Sequence, residues 1–220
     1  MQTMSINTKT LEILEDLPLR ADDAWYVMLV YLGLKSGLWA SIESDIWRQG
    51  DTPKQIHQST RNIIDESLKS LGLVYSIELR DTNAGLMQSD DDSRERLNQI
   101  ADIFIAKDQT TLDNLILARK NNDDKLLGLS LGYPKSAVEA FGTDKKTFVS
   151  NLDPKIQLSE VGQLTYFTLS KDNWKNELAV VEKWISALKE NSHIMWYKLR
   201  RFASLIDEEL INLAIRSRAD

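Results

Sequence analysis

Two lysines stand where short strand-like runs give way to helical ones. Ile103-Phe-Ile-Ala-Lys-Asp108 precedes a helical stretch from Gln109 to Lys120, and Phe167-Thr-Leu-Ser-Lys-Asp172 precedes one from Asn173 to Glu190. An aspartate so placed caps the helix behind it, because its carboxylate accepts from first-turn amides that have no partner within the helix. Open α/β sheets bind ligands beyond the carboxyl ends of their strands, where helix amides suit an anion. Lys107 with Asp108 and Lys171 with Asp172 are therefore candidate binding residues. The plainer alternative is a capping aspartate beside a solvated lysine. A third candidate is the elbow Gly132-Tyr133-Pro134, between the short helical runs of Leu126 to Phe141. Gly132 can take positive φ at little cost, and Pro134 has the φ of a helix start. Its plainer reading is a packed turn with Tyr133 hydrogen-bonded.

Signatures of established chemistry are missing from this list. There is no Gly-x-Ser-x-Gly, no phosphate-binding loop and no Gly-x-Gly-x-x-Gly. Cys is absent, which removes disulfides, thiolate ligands and a Cys nucleophile, and only His57 and His193 could serve as imidazoles. Both read as surface residues. Asp90, Asp91 and Asp92, before Arg94 to Ile100, read as a solvated helix start and not as a metal site. No cofactor or metal is expected, and the chain leans away from being an enzyme.

The bulk composition is that of an ordinary globular protein: 220 residues, 42% hydrophobic, 27% charged, with net charge −6. The acidic balance argues against bulk attraction to nucleic acid. Met1 to Lys9 lacks a signal-peptide pattern, and the longest apolar stretch, Ala24 to Leu34, is well short of the ~20 residues a membrane span needs. A soluble, cytoplasmic protein is expected.

The elements that must position these residues follow from periodicity. Thr8 to Leu17 is a short amphipathic helix ended by Pro18. Asp22 and Asp23 open a helix that is apolar on nearly every side through Leu34, which marks a central core helix or, alternatively, an oligomer interface. Gly33 and Gly37 break the chain before Leu38 to Trp47. Thr52-Pro53 starts a helix carrying Ile56, Ile63, Ile64, Leu68 and Leu71, and Gly72 ends it in the left-handed region. Leu73 to Leu79 alternates as a strand with Tyr75, Ile77 and Leu79 on one face. A turn at Asp81 to Gly85 leads to a short return strand at Leu86 to Gln88. The two strand-Lys-Asp-helix units match in phase, and such β-α connections favour parallel pairing. After a polar connection from Asp144 to Pro154, Leu178, Val181, Trp184, Ile185 and Leu188 form one helical stripe. Leu199, Phe202, Ile206, Leu210 and Leu213 form a second beyond the Asn191-Ser192 break.

The expected fold is α+β, mostly helical around a small mixed sheet of Leu73 to Leu79, Ile103 to Ala106 and Tyr166 to Ser170, with a C-terminal helical hairpin. It reads as a single domain over 1–220, with a sub-division into 1–95 (helices plus hairpin) and 96–220 (strand-helix units and C-terminal helices).

Leu131-Gly-Tyr-Pro-Lys-Ser-Ala-Val-Glu-Ala-Phe141 resembles the signature of an uncharacterised archaeal and bacterial family: Leu-Gly-Tyr-Pro, one variable residue, two Cys, a β-branched residue, then Phe. Leu32-Gly-Leu-Lys-Ser-Gly37 resembles that family's Leu-Gly-Leu-Lys-Pro segment. Leu71-Gly-Leu-Val74 resembles its Leu-Gly-Leu before a strand, and Ile105-Ala-Lys-Asp108 its strand ending. The segments run in the same order over about Val27 to Phe141. Ser136 and Ala137 stand where the pattern has Cys, so any thiol or metal role of that pair does not operate here. The resemblance carries no established activity.

Three functions follow as expectations. The first is a non-enzymatic cytoplasmic binding or interaction protein, with a protein partner or a second copy of itself. The second is an enzyme acting on a small anionic substrate at the strand ends. The third is a winged-helix-like nucleic-acid regulator built on Thr52 to Gln88. It ranks last, because Lys54, Arg61 and Lys69 are offset by Asp65 and Glu66 and leave no basic face for phosphates.

Overall fold

The computed structural model describes residues 6–43, 58–83 and 97–202. Its centre is α2 (Ala21–Tyr31), in which every residue from Ala24 to Val30 is buried. Asp22 and Asp23 sit in the first turn, where negative charge meets the positive end of the helix dipole. At the other end Gly33 takes φ +70°. Its N–H reaches Val30 O at 3.0 Å, and the N–H of Leu34 reaches Leu29 O at 2.9 Å. This paired closure uses carbonyls that the helix leaves free and turns the chain sharply out of α2. Helix α1 (Thr8–Glu15) precedes it, capped by the Asn7 side chain, and buries Leu14 in the same core.

Three strands form the main sheet: β1 (Gly37–Glu43), β2 (Val74–Asn83) and β3 (Leu97–Ala106), in the order β1-β3-β2 with both pairings antiparallel. Alternation sends Leu38, Ala40, Ile103 and Ile105 to one face, against α2. There α3 (Gln58–Ser70) adds Ile64 and Leu68. The opposite face carries Phe104 and Ala106, with Trp39 and Val74 beside them, under Leu112 and Leu115 of α4 (Gln109–Asn121). Beyond the reach of α4 that face turns polar. Asp102 is buried there and joins all three strands: it accepts from Trp39 Nε1 (3.1 Å) and Ser41 Oγ (2.6 Å) on β1, and from Arg80 Nε (2.6 Å) on β2.

The chain continues through α5 (Asp124–Ser130) and α6 (Lys135–Ala140) to a two-residue strand, β4 (Lys146–Thr147). Short helices α7 (Pro154–Gln157) and α8 (Glu160–Gln163) follow. β5 (Leu169–Ser170) then pairs with β4, and α9 (Trp174–Asn191) carries the long apolar stripe. Leu178, Val181, Trp184, Ile185 and Leu188 of α9 are all buried. Ser192 breaks the helix, and residues 193–202 are helical again, with Met195 and Leu199 in the main core.

The α+β, mostly helical expectation holds, but the sheet differs from the expected one. It is antiparallel, not mixed, and Tyr166 to Ser170 is no part of it. Only Leu169 and Ser170 of that segment form a strand, in the separate β4-β5 ribbon, while Tyr166 and Phe167 go to ring contacts instead. The place expected for that segment is taken by Gly37–Glu43, whose backbone satisfies one side of β3 along seven residue pairs. Pairing with β2 extends β3 back to Leu97, so Leu97 to Ile100 is strand where a helix was expected. After β3 the chain does not cross over to a parallel partner, because α4 folds back onto the sheet. Asp108 caps α4 through Thr111 N (2.8 Å), as expected. Asp172 does not cap α9: Asn173 occupies the N-cap position, and the Asn173 N–H donates to Ser170 Oγ (3.1 Å). Pro134 is the N-cap residue of α6, one place before its first turn. Ile63 is exposed, whereas Ile64 and Leu68 are buried. Thr52-Pro53, His57, Leu86 to Gln88, Asp90 to Asp92 and the second stripe beyond Phe202 lie outside the described residues. Among the described residues no helix is long and apolar enough to cross a membrane.

Asp102 yields a test of the sheet. Burial works against its charge, but the hydrogen bonds from Ser41, Arg80 and Trp39 outweigh it and hold the carboxyl below the usual carboxylate range. Its stabilising contribution is therefore present at neutral pH and lost as pH falls through that lowered value. Asp102→Ala should cost about 2–3 kcal/mol in urea unfolding at pH 7. The gap from wild type should narrow at strongly acid pH.

Candidate binding site

Lys35 follows the sharp end of α2, and its side chain does not reach solvent: 3% of the residue is exposed. Its amine points into a box of three rings. Nζ lies 4.5 Å from the ring centroid of Tyr26 on α2, 4.4 Å from that of Tyr133 at the elbow, and 4.6 Å from that of Trp184 on α9. Among the described residues the amine has no hydrogen-bond partner. Ring faces are electron-rich and attract a cation, so they offset part of what burial takes from the charge. Burial nevertheless pushes the Lys35 amine down to about 7.

Each wall of the box is fixed from a different part of the chain. Trp184 donates its Nε1–H to Leu34 O (3.2 Å), which ties α9 to the turn that presents Lys35. Tyr26 stands edge-on to Trp184, with centroids 6.2 Å apart. Tyr133 stacks on Phe167 at 5.0 Å, and Phe167 meets Trp184 at 6.2 Å. Gly132 lets Tyr133 come this close. It ends α5 with φ +77°, and a Cβ there would lie 2.7 Å from Ser36 N and 3.3 Å from Lys35 Cα. The elbow and the Lys35 turn thus touch backbone to backbone, a distance only glycine permits. Burial pushes the Tyr133 hydroxyl up to about 12. Tyr26 goes well above its ordinary value, chiefly by burial and then through Tyr133 and Tyr166.

Beyond Tyr133 lies a pocket of about 200 Å³, lined by Leu127, Leu131, Tyr133, Val138, Phe141 and Phe167, with Tyr166 and the polar Asp124 and Thr168 also on its walls. The elbow and the ring stack of Tyr133 and Phe167 stand between this pocket and the Lys35 box. A buried carboxylate braces the same region. Glu177 of α9 accepts from Ser136 Oγ (2.6 Å), Ser170 N (2.8 Å) and Ser170 Oγ (2.6 Å), joining α6, β5 and α9. Ser136 is a donor in this brace. A second cleft, of about 590 Å³, lies between Pro18 to Asp23 and Trp39 to Ile42. Its Arg20 is paired with Asp22 at 2.9 Å. Asp23 beside it is raised to about 6 by burial and by Asp22, against the pull of Arg20. Among the described residues no three His, Asp or Glu side chains converge as a metal site would need.

The expected candidates separate. Gly132 and Tyr133 belong to this site, with Pro134 as the next residue of the turn. Lys107 follows β3 and lies over the Gly33 turn, and Asp108 caps α4. Lys171 and Asp172 are exposed after β5, in the other sheet, with the Lys171 N–H donating to Lys145 O. The two strand ends thus belong to different sheets. Sequence reasoning missed Lys35, Tyr26, Phe167 and Trp184 as a group. The available signal was Lys35 itself, a lone charge between Gly33 and Gly37. Comparison with protein-family models, curated proteins and solved structures finds no match for the chain.

Two outcomes follow from this geometry. Between about pH 7 and the ordinary lysine range the unfolded chain binds a proton that buried Lys35 does not, so stability rises with pH in that window. From pH 7 to 9 the wild type should gain about 2 kcal/mol relative to Lys35→Met in denaturant titrations. The tyrosines of the box are present in both proteins, so their contribution cancels in this comparison. Gly132→Val should cost about 3 kcal/mol or more, since it meets both strain at positive φ and the Ser36 backbone. An unchanged melt would contradict the close approach.

Proposed function

We propose that this chain is a non-enzymatic, cytoplasmic binding protein that takes a compact apolar group into the pocket beside Tyr133. The observation that carries the reading is the lining: Leu127, Leu131, Val138, Phe141, Tyr133 and Phe167 make a concave, mostly apolar wall, with Asp124 and Thr168 as its polar points. Such a lining, with few polar groups to fix orientation, is the usual form of a small-molecule site. The volume of about 200 Å³ suits one aromatic ring or a short branched chain. Phe141 is half exposed and offers an apolar lip. Absence of Cys suits a reducing compartment. The enzyme reading at the strand ends is less favoured, because Lys107 and Lys171 follow strands of separate sheets. A protein partner remains compatible if it presents an apolar side chain to the same pocket.

Toluene and indole are suitable probes. With about eight heavy atoms each, they should bind saturably with Kd on the order of 0.1–1 mM by ligand-observed NMR. Val138→Phe, which fills the pocket from its buried wall, should abolish that binding while the protein stays folded by circular dichroism. Equal binding by wild type and Val138→Phe, or none by wild type, would refute the proposal.

A further inference from the structure

The pocket accounts for Tyr133 and Phe167 but not for the amine behind them. Lys35 is buried with no carboxylate and no other hydrogen-bond partner among the described residues, in a box walled by three ring faces. A purely structural position is more cheaply filled by an apolar side chain of similar length. Lysines in desolvated apolar surroundings are the ones that act as nucleophiles, because more of the amine is neutral at ordinary pH. Here Tyr133 is shared: one of its contacts is the Lys35 amine, and it also lines the pocket.

We infer that Lys35 captures a small aldehyde with an apolar body as a reversible imine, the aldehyde entering through the pocket and the Tyr133 ring turning aside to admit its carbonyl carbon. The inference rests on the pocket reading above and adds the ligand's reactive group. In the step, the neutral amine nitrogen attacks the carbonyl carbon. The carbonyl oxygen leaves as water with the two amine hydrogens, and a carbon–nitrogen double bond remains. No oxidant, reductant or metal is required. An anionic ligand suits the box less well, since it would meet the electron-rich faces of Tyr26, Tyr133 and Trp184. A neutral carbonyl avoids that repulsion. The lowered basicity of Lys35 agrees with this role, as a large share of the amine is free to react near neutral pH.

The test uses the full chain with benzaldehyde and sodium cyanoborohydride at pH 7, which reduces any imine to a stable benzyl-lysine, followed by peptide mass mapping. The expected result is an initial rate at Lys35 at least tenfold above that at exposed lysines such as Lys135 and Lys171. Val138→Phe should lower labelling of Lys35 at least tenfold and leave the exposed lysines unchanged. Labelling that follows exposure, with Lys35 unmodified in protein that binds toluene, would overturn the imine and leave the pocket standing. Failure of both toluene binding and Lys35 labelling would overturn both. Modification of Lys35 only in denaturant would show that the amine is sealed, and would also sink the inference.

Discussion

The arrangement turns on one amine that has no hydrogen-bond partner among the described residues. Burying Lys35 without a carboxylate is costly, and three ring faces are the main compensation the chain supplies. They come from α2, the elbow and α9, so the box exists only when all three meet at the turn after α2. That requirement explains several other features. Gly33 ends α2 abruptly enough to swing Lys35 back towards Tyr26. Gly132 removes the Cβ that would keep Tyr133 away, and Trp184 Nε1 is tied to Leu34 O.

Two buried carboxylates among the described residues show the contrast. Asp102 accepts three hydrogen bonds and joins the three strands of the main sheet. Glu177 also accepts three and joins α6, β5 and α9. Both are satisfied in the way buried polar groups normally are. Lys35 is not. An incompletely compensated buried group beside a cavity is where binding or chemistry is most readily accommodated, because a ligand can supply what the fold leaves out.

The pocket and the box are parts of one construction. Tyr133 and Phe167 form a stacked pair that both stand at the pocket, with Lys35 against Tyr133. The Glu177 brace fixes the end of α6 that carries Ser136, while Ala137 and Val138 from the same helix line the pocket. A movement of the elbow would therefore act on cavity and amine together. Leu32 to Gly37 and Leu131 to Phe141 meet at the contact between Gly132 and the Lys35-Ser36 backbone.

Local physics was legible in the sequence. The apolar run of α2, the stripe of α9, the Asp108 cap, the left-handed Gly72 and the bend at Gly132 all depend on propensity, period or φ within a few residues. Pairing was not. Nothing near Leu38 says that its strand will complete the sheet in place of Tyr166 to Ser170, since partner choice depends on which backbone reaches β3. Asp172 resembles Asp108 in sequence, yet Ser170 Oγ receives the amide of Asn173, because β5 and Glu177 set the local geometry first. Nothing in its neighbours along the chain sets Lys35 apart from an ordinary charge in a turn. Its burial was decided by Trp184, tied to Leu34 at a separation of 150 residues, and by the missing Cβ of Gly132. Helices and caps are governed by near neighbours, whereas a desolvated amine and its ring walls are governed by contacts that exist only in the folded chain.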